Sequence, residues 1–199
     1  MNTAARHIIL ASTSPRRREL VASLNIPFEV IPSLADEHYE AAWKPEKIVI
    51  ELAKRKAEAV YHTLEKEQRT GVIVGSDTIV VRDGYILGKP ANQQEAADML
   101  RSLQGRSHEV YSGVACVDSV TGKSLVDYRK TIVWMRECSE MEVLAYAATG
   151  EGLDKAGAYA IQGLGATLVA SIEGCYFNVV GLPLSLLGEM LKTFGINVL

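Results

Sequence analysis

The chain has 199 residues, 48% of them apolar and 23% charged, with a formal net charge of −3. That is enough for one sizeable α/β domain or two small ones. The slightly acidic balance argues against a broad nucleic-acid surface, so any cationic site has to be local. Three cysteines, Cys116, Cys138 and Cys175, lie far apart with no CxxC pair, which argues for reduced thiols and against a disulfide framework or zinc site. No apolar run approaches about 18 residues, so the expectation is a soluble, cytoplasmic protein with no membrane segment.

In chain order, Ile8-Ile9-Leu10 reads as a short buried strand. Ser14-Pro15 then reads as a helix start, with serine at the N-cap and proline at the first helical position. Arg16, Arg17 and Arg18 follow in the first turn. That end of a helix carries partial positive charge and disfavours cations by about 0.3–1 kcal/mol each. Three of them there make sense if an outside anion joins them, so strand, hydroxyl-rich turn, helix start and arginines together describe a phosphate seat. The plainer reading is a solvated basic helix start.

Pro27 to Pro32 reads as a second strand, followed by an acidic connection with Asp36, Glu37 and Glu40 that can lend a carboxylate to the same seat. From Pro45 to about Glu67 the pattern is helical, with Ile48, Val49, Leu52, Ala53, Ala59 and Val60 on one apolar arc and Glu51, Lys54, Arg55 and Glu58 opposite. Lys56 falls near the middle of that arc, where it must be paired, face a polar cleft, or snorkel past the edge.

Gly71 to Val81 is the strongest strand, apolar enough on both sides to be central in a covered sheet. At period two, Asp77 shares a face with Ile73, Ile79 and Val81. A carboxylate there has to be ion-paired, metal-bound or satisfied by backbone N–H groups. Asp83-Gly84 is a hairpin turn leading to Ile86 and Leu87, then Gly88-Lys89-Pro90. Asn92 caps a helix that ends before Gly105. Two meandering strands follow, His108–Val120 and Leu125–Trp134. A capping box at Ser139 and Glu142 opens a helix through Ala148. The glycine-dense stretch 152–165 predicts close backbone approach and carries Asp154, Lys155 and Gln162. Ala166–Ile172 and Cys175–Val180 read as strands, and Leu184 begins the last helix, which runs to about Phe194. No repeat or linker composition interrupts the chain, so one domain is the economical reading.

These pieces assemble cations (Arg16, Arg17, Lys56, Lys89), small hydroxyls (Ser12, Ser14, Thr78) and two carboxylates (Glu37, Asp77). That is the toolkit of a Mg²⁺-dependent phosphoryl enzyme. With no GxxxxGK[ST] and no GxGxxG, the seat is neither a Walker loop nor a dinucleotide fingerprint. The four histidines lie in unrelated contexts and none is assigned a role.

The blocks Ser12-x-Ser14-Pro15-Arg16-Arg17, Glu37, Leu52-Ala53-x-x-Lys56-Ala57, Gly75-Ser76-Asp77-Thr78, Gly88-Lys89-Pro90, Asp154-Lys155-Ala156-Gly157-Ala158-Tyr159-x-Ile161-Gln162-Gly163 and Val180-Gly181-Leu182-Pro183 resemble, in register, the Maf (septum-formation) nucleoside triphosphate pyrophosphatases, from residue 8 to about 190. The resemblance implies an α/β fold around a long mixed sheet flanked by helices, with two lobes around a central cleft, as in the inosine-triphosphate pyrophosphatases, built as one domain over 1–199. It implies hydrolysis of a nucleoside triphosphate between the α and β phosphates with a divalent cation, Mg²⁺ or Mn²⁺, by a family whose members are often homodimers.

Carried over by motif, Asp77 is the catalytic base, Glu37 a metal- or water-positioning carboxylate, and both are metal ligands. Ser12, Ser14, Arg16, Lys56 and Lys89 bind phosphate. Arg17, Thr78 and Gln162 match positions of base specificity in the subfamily acting on dTTP and UTP. A different base preference, such as modified pyrimidine or purine triphosphates, is the alternative within the enzyme class, and a non-catalytic nucleotide-binding regulator of septum formation is the alternative of another kind.

Overall fold

The computed structural model describes residues 6–199. Its elements are β1 (Ile8–Leu10), α1 (Pro15–Ala22), β2 (Phe28–Val30), α2 (Pro45–Thr63), β3 (Val72–Arg82), β4 (Tyr85–Leu87), α3 (Gln93–Leu103), β5 (Ser107–Asp118), β6 (Ser124–Met135), α4 (Glu140–Thr149), β7 (Val169–Glu173), α5 (Tyr176–Val180) and α6 (Leu184–Thr193), with 3-10 turns at Lys66–Gln68, Ala156–Ala158 and Gly163–Leu168. The seven strands make one mixed sheet in the order β2-β1-β3-β5-β6-β7, with β4 paired to β3. The α/β expectation with a long mixed sheet therefore holds, and β3 is interior, as its two-sided apolar pattern requires. No helix among the described residues is long and apolar enough to cross a membrane.

The chain divides into two compact units. Of the described residues, the first holds 6–77, Ser112–Arg129 and Gly181–Leu199; the second holds Thr78–Tyr111 and Lys130–Val180. In the first, β1 runs parallel to both β2 and β3, with Ile8 opposite Phe28 and Val72. Helix α2 lies very close to the strands. A Cβ at Gly75 would sit 2.3 Å from the Ala53 carbonyl oxygen, and one at Gly113 would sit 2.1 Å from that of Val49. Only glycine on the sheet permits that approach. Ile9, Ala53, Ala57, Val60, Leu64, Ile73 and Val117 fill the layer between them.

This packing corrects two sequence expectations. Ala57, not Ala59, takes the buried place on α2, because the 49–53–57 row faces the glycines; Ala59 is only half-buried. The helix also ends at Thr63 rather than near Glu67, since Leu64 turns extended and drops its side chain into the same layer.

In the second unit, the Asp83-Gly84 turn has both φ angles positive, 52° and 81°, which is the twist a two-residue hairpin needs. It pairs Arg82 with Tyr85 and Val80 with Leu87. Helix α4 opens on the expected capping box, with Ser139 and Glu142 bonded reciprocally. Strand β7 pairs antiparallel with β6, Val133 opposite Ile172, and begins at Val169 because Gly163–Leu168 winds into a 3-10 turn.

Within Cys175–Val180, expected as a strand, Tyr176–Val180 is instead the short helix α5. Short apolar runs do not separate strand from helix by pattern alone. Here the buried Asn178 decides: its amide donates to the Val110 carbonyl at 2.9 Å and to Thr131 Oγ1 at 3.0 Å, and Thr131 Oγ1 also donates to the Cys175 carbonyl. The three cysteines are free thiols.

Candidate functional site

The start of α1 is built as its sequence dictates. Ser14 is the N-cap, Pro15 opens the helix, and the Ser14 hydroxyl accepts from the Arg17 amide at 3.5 Å. Ser12 is buried, and its Oγ accepts from the Ser14 amide at 3.2 Å. The first turn contains no acid. Arg17 Nε donates to the Gly181 carbonyl at 2.8 Å, and Ser76 Oγ donates to the same oxygen at 3.1 Å, so one backbone carbonyl ties the helix start to β3. Burial holds the Arg17 guanidinium below its ordinary pKa; Asp77 works against that shift, Arg16 adds to it, and Glu37 opposes it. Arginine stays charged regardless. A desolvated cation beside a second cation is a place where an anion is welcome.

Across the first unit, Lys56 and Asp77 explain each other. The Lys56 ammonium lies 2.6 Å from Asp77 Oδ1 and 2.7 Å from Glu37 Oε1. The side chains of Lys56 and Asp77 are 13% and 11% exposed, whereas Glu37 is 65% exposed. Of the readings open for Lys56, pairing is the one realised. Asp77, facing inward from an apolar strand, meets its requirement through the same ammonium.

Glu37 arrives on irregular chain whose path is fixed nearby. Asp36 Oδ1 accepts from the His38 amide at 2.9 Å, and Arg55 Nη1, one residue before Lys56, donates to the His38 carbonyl at 2.6 Å. Arg55 was not singled out in the sequence. Its signal was its place beside Lys56 on α2.

Two carboxylates converging on one ammonium mark a spot where cationic charge is already held between hard oxygens. Among the described residues, no group of three or more His, Cys, Asp or Glu side chains converges on a metal position. One or two carboxylates, with the remaining ligands taken from phosphate and water, is how Mg²⁺ is usually held. The donors present therefore fit an ion that arrives with a phosphorylated ligand, and do not fit a permanent all-protein cage.

The other candidate residues belong to the second unit. Thr78 follows Asp77 on β3 and is half-buried; Lys89 is exposed beyond β4. Gln162 caps the Gly163–Leu168 turn with extended backbone and makes no capping bond of its own. Lys155 Nζ donates to the Glu151 carbonyl at 2.8 Å and to Asp154. The structure thus joins Ser12, Ser14, Arg16 and Arg17 at one helix start, joins Lys56, Glu37 and Asp77 by ion pairs, and places Thr78, Lys89 and Gln162 on separate segments of the second unit.

Two features of that unit escaped sequence reasoning. His108 is buried, with Nε2 2.7 Å from Tyr159 Oη; burial lowers its pKa to about 4. Glu151 accepts from the Leu164 and Gly165 amides and from Tyr146 Oη.

A family model described as Maf-like protein matches residues 7–194. The dTTP/UTP pyrophosphatase of Caldicellulosiruptor saccharolyticus is 44% identical over 194 residues, which cover 98% of this chain and 98% of that one. The dTTP/UTP pyrophosphatase of Pelotomaculum thermopropionicum is 48% identical over 194 residues, 98% of this chain and 100% of its own. The solved Staphylococcus aureus Ham1 protein aligns at 13% identity with a TM-score of 0.46, over 82% of this chain and 80% of that chain, a likeness too loose to carry a conclusion.

Proposed function

The chain belongs to the Maf family, and from that premise we propose that it is a dTTP/UTP pyrophosphatase, hydrolysing the bond between the α and β phosphates to give the monophosphate and pyrophosphate. The observation that carries this reading is the pair of carboxylates meeting on Lys56 Nζ. It supports a centre with a base, a charge-neutralising cation and hard oxygen ligands in one place.

In this scheme Asp77 accepts the proton of a water that attacks the α phosphorus. The new O–P bond forms as the bond from the α phosphorus to the bridging oxygen breaks, and pyrophosphate leaves with that oxygen. Arg16 and Lys56, with Lys89, meet the charge growing on the leaving group. Ser12 and Ser14 donate hydroxyl hydrogen bonds to phosphate oxygens. Glu37 and Asp77 would hold the divalent cation, Mg²⁺ or Mn²⁺, which when bound supplies charge neutralisation on the phosphates. Arg17, Thr78 and Gln162 select the base. All 199 residues serve one catalytic domain working in the cytoplasm.

The test is a panel of purified nucleoside triphosphates, modified pyrimidines included, with Mg²⁺, with Mn²⁺ and with EDTA. The expected products from dTTP and UTP are monophosphate and pyrophosphate in equal amounts, and none with EDTA. A nucleotide-induced rise in melting temperature without product would instead identify a binding protein.

A further inference from the structure

Glu151 follows Gly150, the left-handed residue that closes α4. Its carboxylate accepts three hydrogen bonds, two from the loop ahead and one from Tyr146 on α4. Oε2 accepts from the Leu164 amide at 3.1 Å. Oε1 accepts from the Gly165 amide at 2.9 Å and from Tyr146 Oη at 3.0 Å. The same tyrosine oxygen accepts from the Ala160 amide at 3.2 Å. Backbone is therefore anchored at 160 on one side of Gln162 and at 164 and 165 on the other.

The approach is close enough to dictate sequence. A Cβ at Gly163, where φ is +64°, would fall 2.7 Å from Glu151 Oε2, and one at Gly165 would fall 2.6 Å from Tyr146 Oη. The Glu151 main-chain oxygen also holds Lys155 Nζ. Gln162 makes no capping bond itself, and the backbone that carries it is held at 160 through Tyr146 and at 164 and 165 by Glu151.

We propose that Glu151 is the positioning residue for nucleobase preference, acting by fixing the backbone on both sides of Gln162. This rests on the assignment of Gln162 to base selection made above. Glu151 itself touches no substrate. Its carboxylate supplies acceptors to two adjacent amides at once, and the isosteric amide of glutamine keeps only one acceptor oxygen while turning an N–H₂ toward a donor.

The test compares kcat/KM for dTTP and for GTP in the intact chain and in three variants. Glu151→Gln is expected to lower the dTTP-to-GTP ratio about tenfold, the factor corresponding to one charge-assisted hydrogen bond, chiefly through KM for dTTP. Tyr146→Phe, which removes only the hydroxyl linking Glu151 to Ala160, is expected to lower it about threefold, as for a weaker neutral bond, and decides the matter if Glu151→Gln does not fold. Gln162→Ala should move the ratio at least as far as Glu151→Gln. A lowered melting temperature with an unchanged ratio in both loop variants, while Gln162→Ala shifts it, would overturn the positioning role alone. An unchanged ratio in Gln162→Ala would overturn the base-selection assignment and the positioning role with it.

Discussion

The two units each place a charge of the wrong sign at a helix end, and they resolve it in opposite ways. In the first, arginines crowd the positive start of α1 with no acid in the first turn. Arg17 gains a backbone carbonyl from Gly181 and the opposing charges of Asp77 and Glu37, all from outside its own turn, and in the function proposed above an external anion joins them at that end. In the second, Glu151 stands just past the negative end of α4 and is answered from within, by two loop amides and a tyrosine hydroxyl. The lesson is that a misplaced charge in a sequence marks either a ligand or a hidden internal partner, and only geometry tells which.

The largest expected effect tests the ligand side. Asp77→Asn should lower turnover by about 10²–10⁴-fold, the range for loss of a general base, with the chain still folded because Lys56 keeps Glu37. Full activity in that variant would remove Asp77 as the base.

Lys56→Met comes next. It strands a carboxylate that is 11% exposed, and one-sided removal of a buried pair costs about 3–5 kcal/mol. Denaturant midpoints measure this. A loss under about 1 kcal/mol, typical of exposed pairs, would mean that Asp77 is better solvated than its burial indicates.

The second unit should respond to acid. His108 has a folded-state pKa near 4, lowered by burial, against about 6.5 when unfolded. Between those values the unfolded chain takes up a proton that the folded chain refuses, so stability falls as pH drops from about 6.5 to 4, by about 3 kcal/mol at most. Unfolding curves across this range check it, and His108→Phe should flatten the slope. An identical slope in that variant would assign the effect elsewhere.

Two smaller effects sharpen the contrast directly. Glu151→Ala takes the acceptor from the Gly165 amide and the Tyr146 hydroxyl, both on buried residues, while the exposed Leu164 amide returns to water, and should cost about 1–3 kcal/mol. Arg16→Gln, by contrast, relieves a cation at a positive helix end and should leave the unliganded chain as stable or more stable by about 0.3–1 kcal/mol, while raising KM for the triphosphate. A destabilised Arg16→Gln with unchanged KM would undo the idea that the arginine turn is kept for an anion.

What was legible in the sequence follows the same division. The arginines in the first turn of α1, the acid inside β3 and the lysine on the apolar side of α2 each break a local rule, and the structure brings Lys56, Asp77 and Glu37 into contact. The Asp-Gly hairpin and the Ser139 capping box were legible because their chemistry is local.

The remainder depended on backbone groups that carry no letter. The swap of Ala59 for Ala57 on α2 was set by glycines on distant strands. Helix α5 was set by the contacts of Asn178 with Val110 and Thr131. The grip of Glu151 on the 160–165 loop uses main-chain amides, so only its position after the helix end hinted at it.

The central claim is that Asp77, held with Glu37 on Lys56, is the base for attack at the α phosphorus. Hydrolysis of dTTP in ¹⁸O-labelled water by the purified chain tests it most directly, run beside Asp77→Asn. The account predicts label in the monophosphate, unlabelled pyrophosphate, and loss of both products in the variant. Label in pyrophosphate, release of inorganic phosphate with a diphosphate, or an unimpaired variant would contradict it.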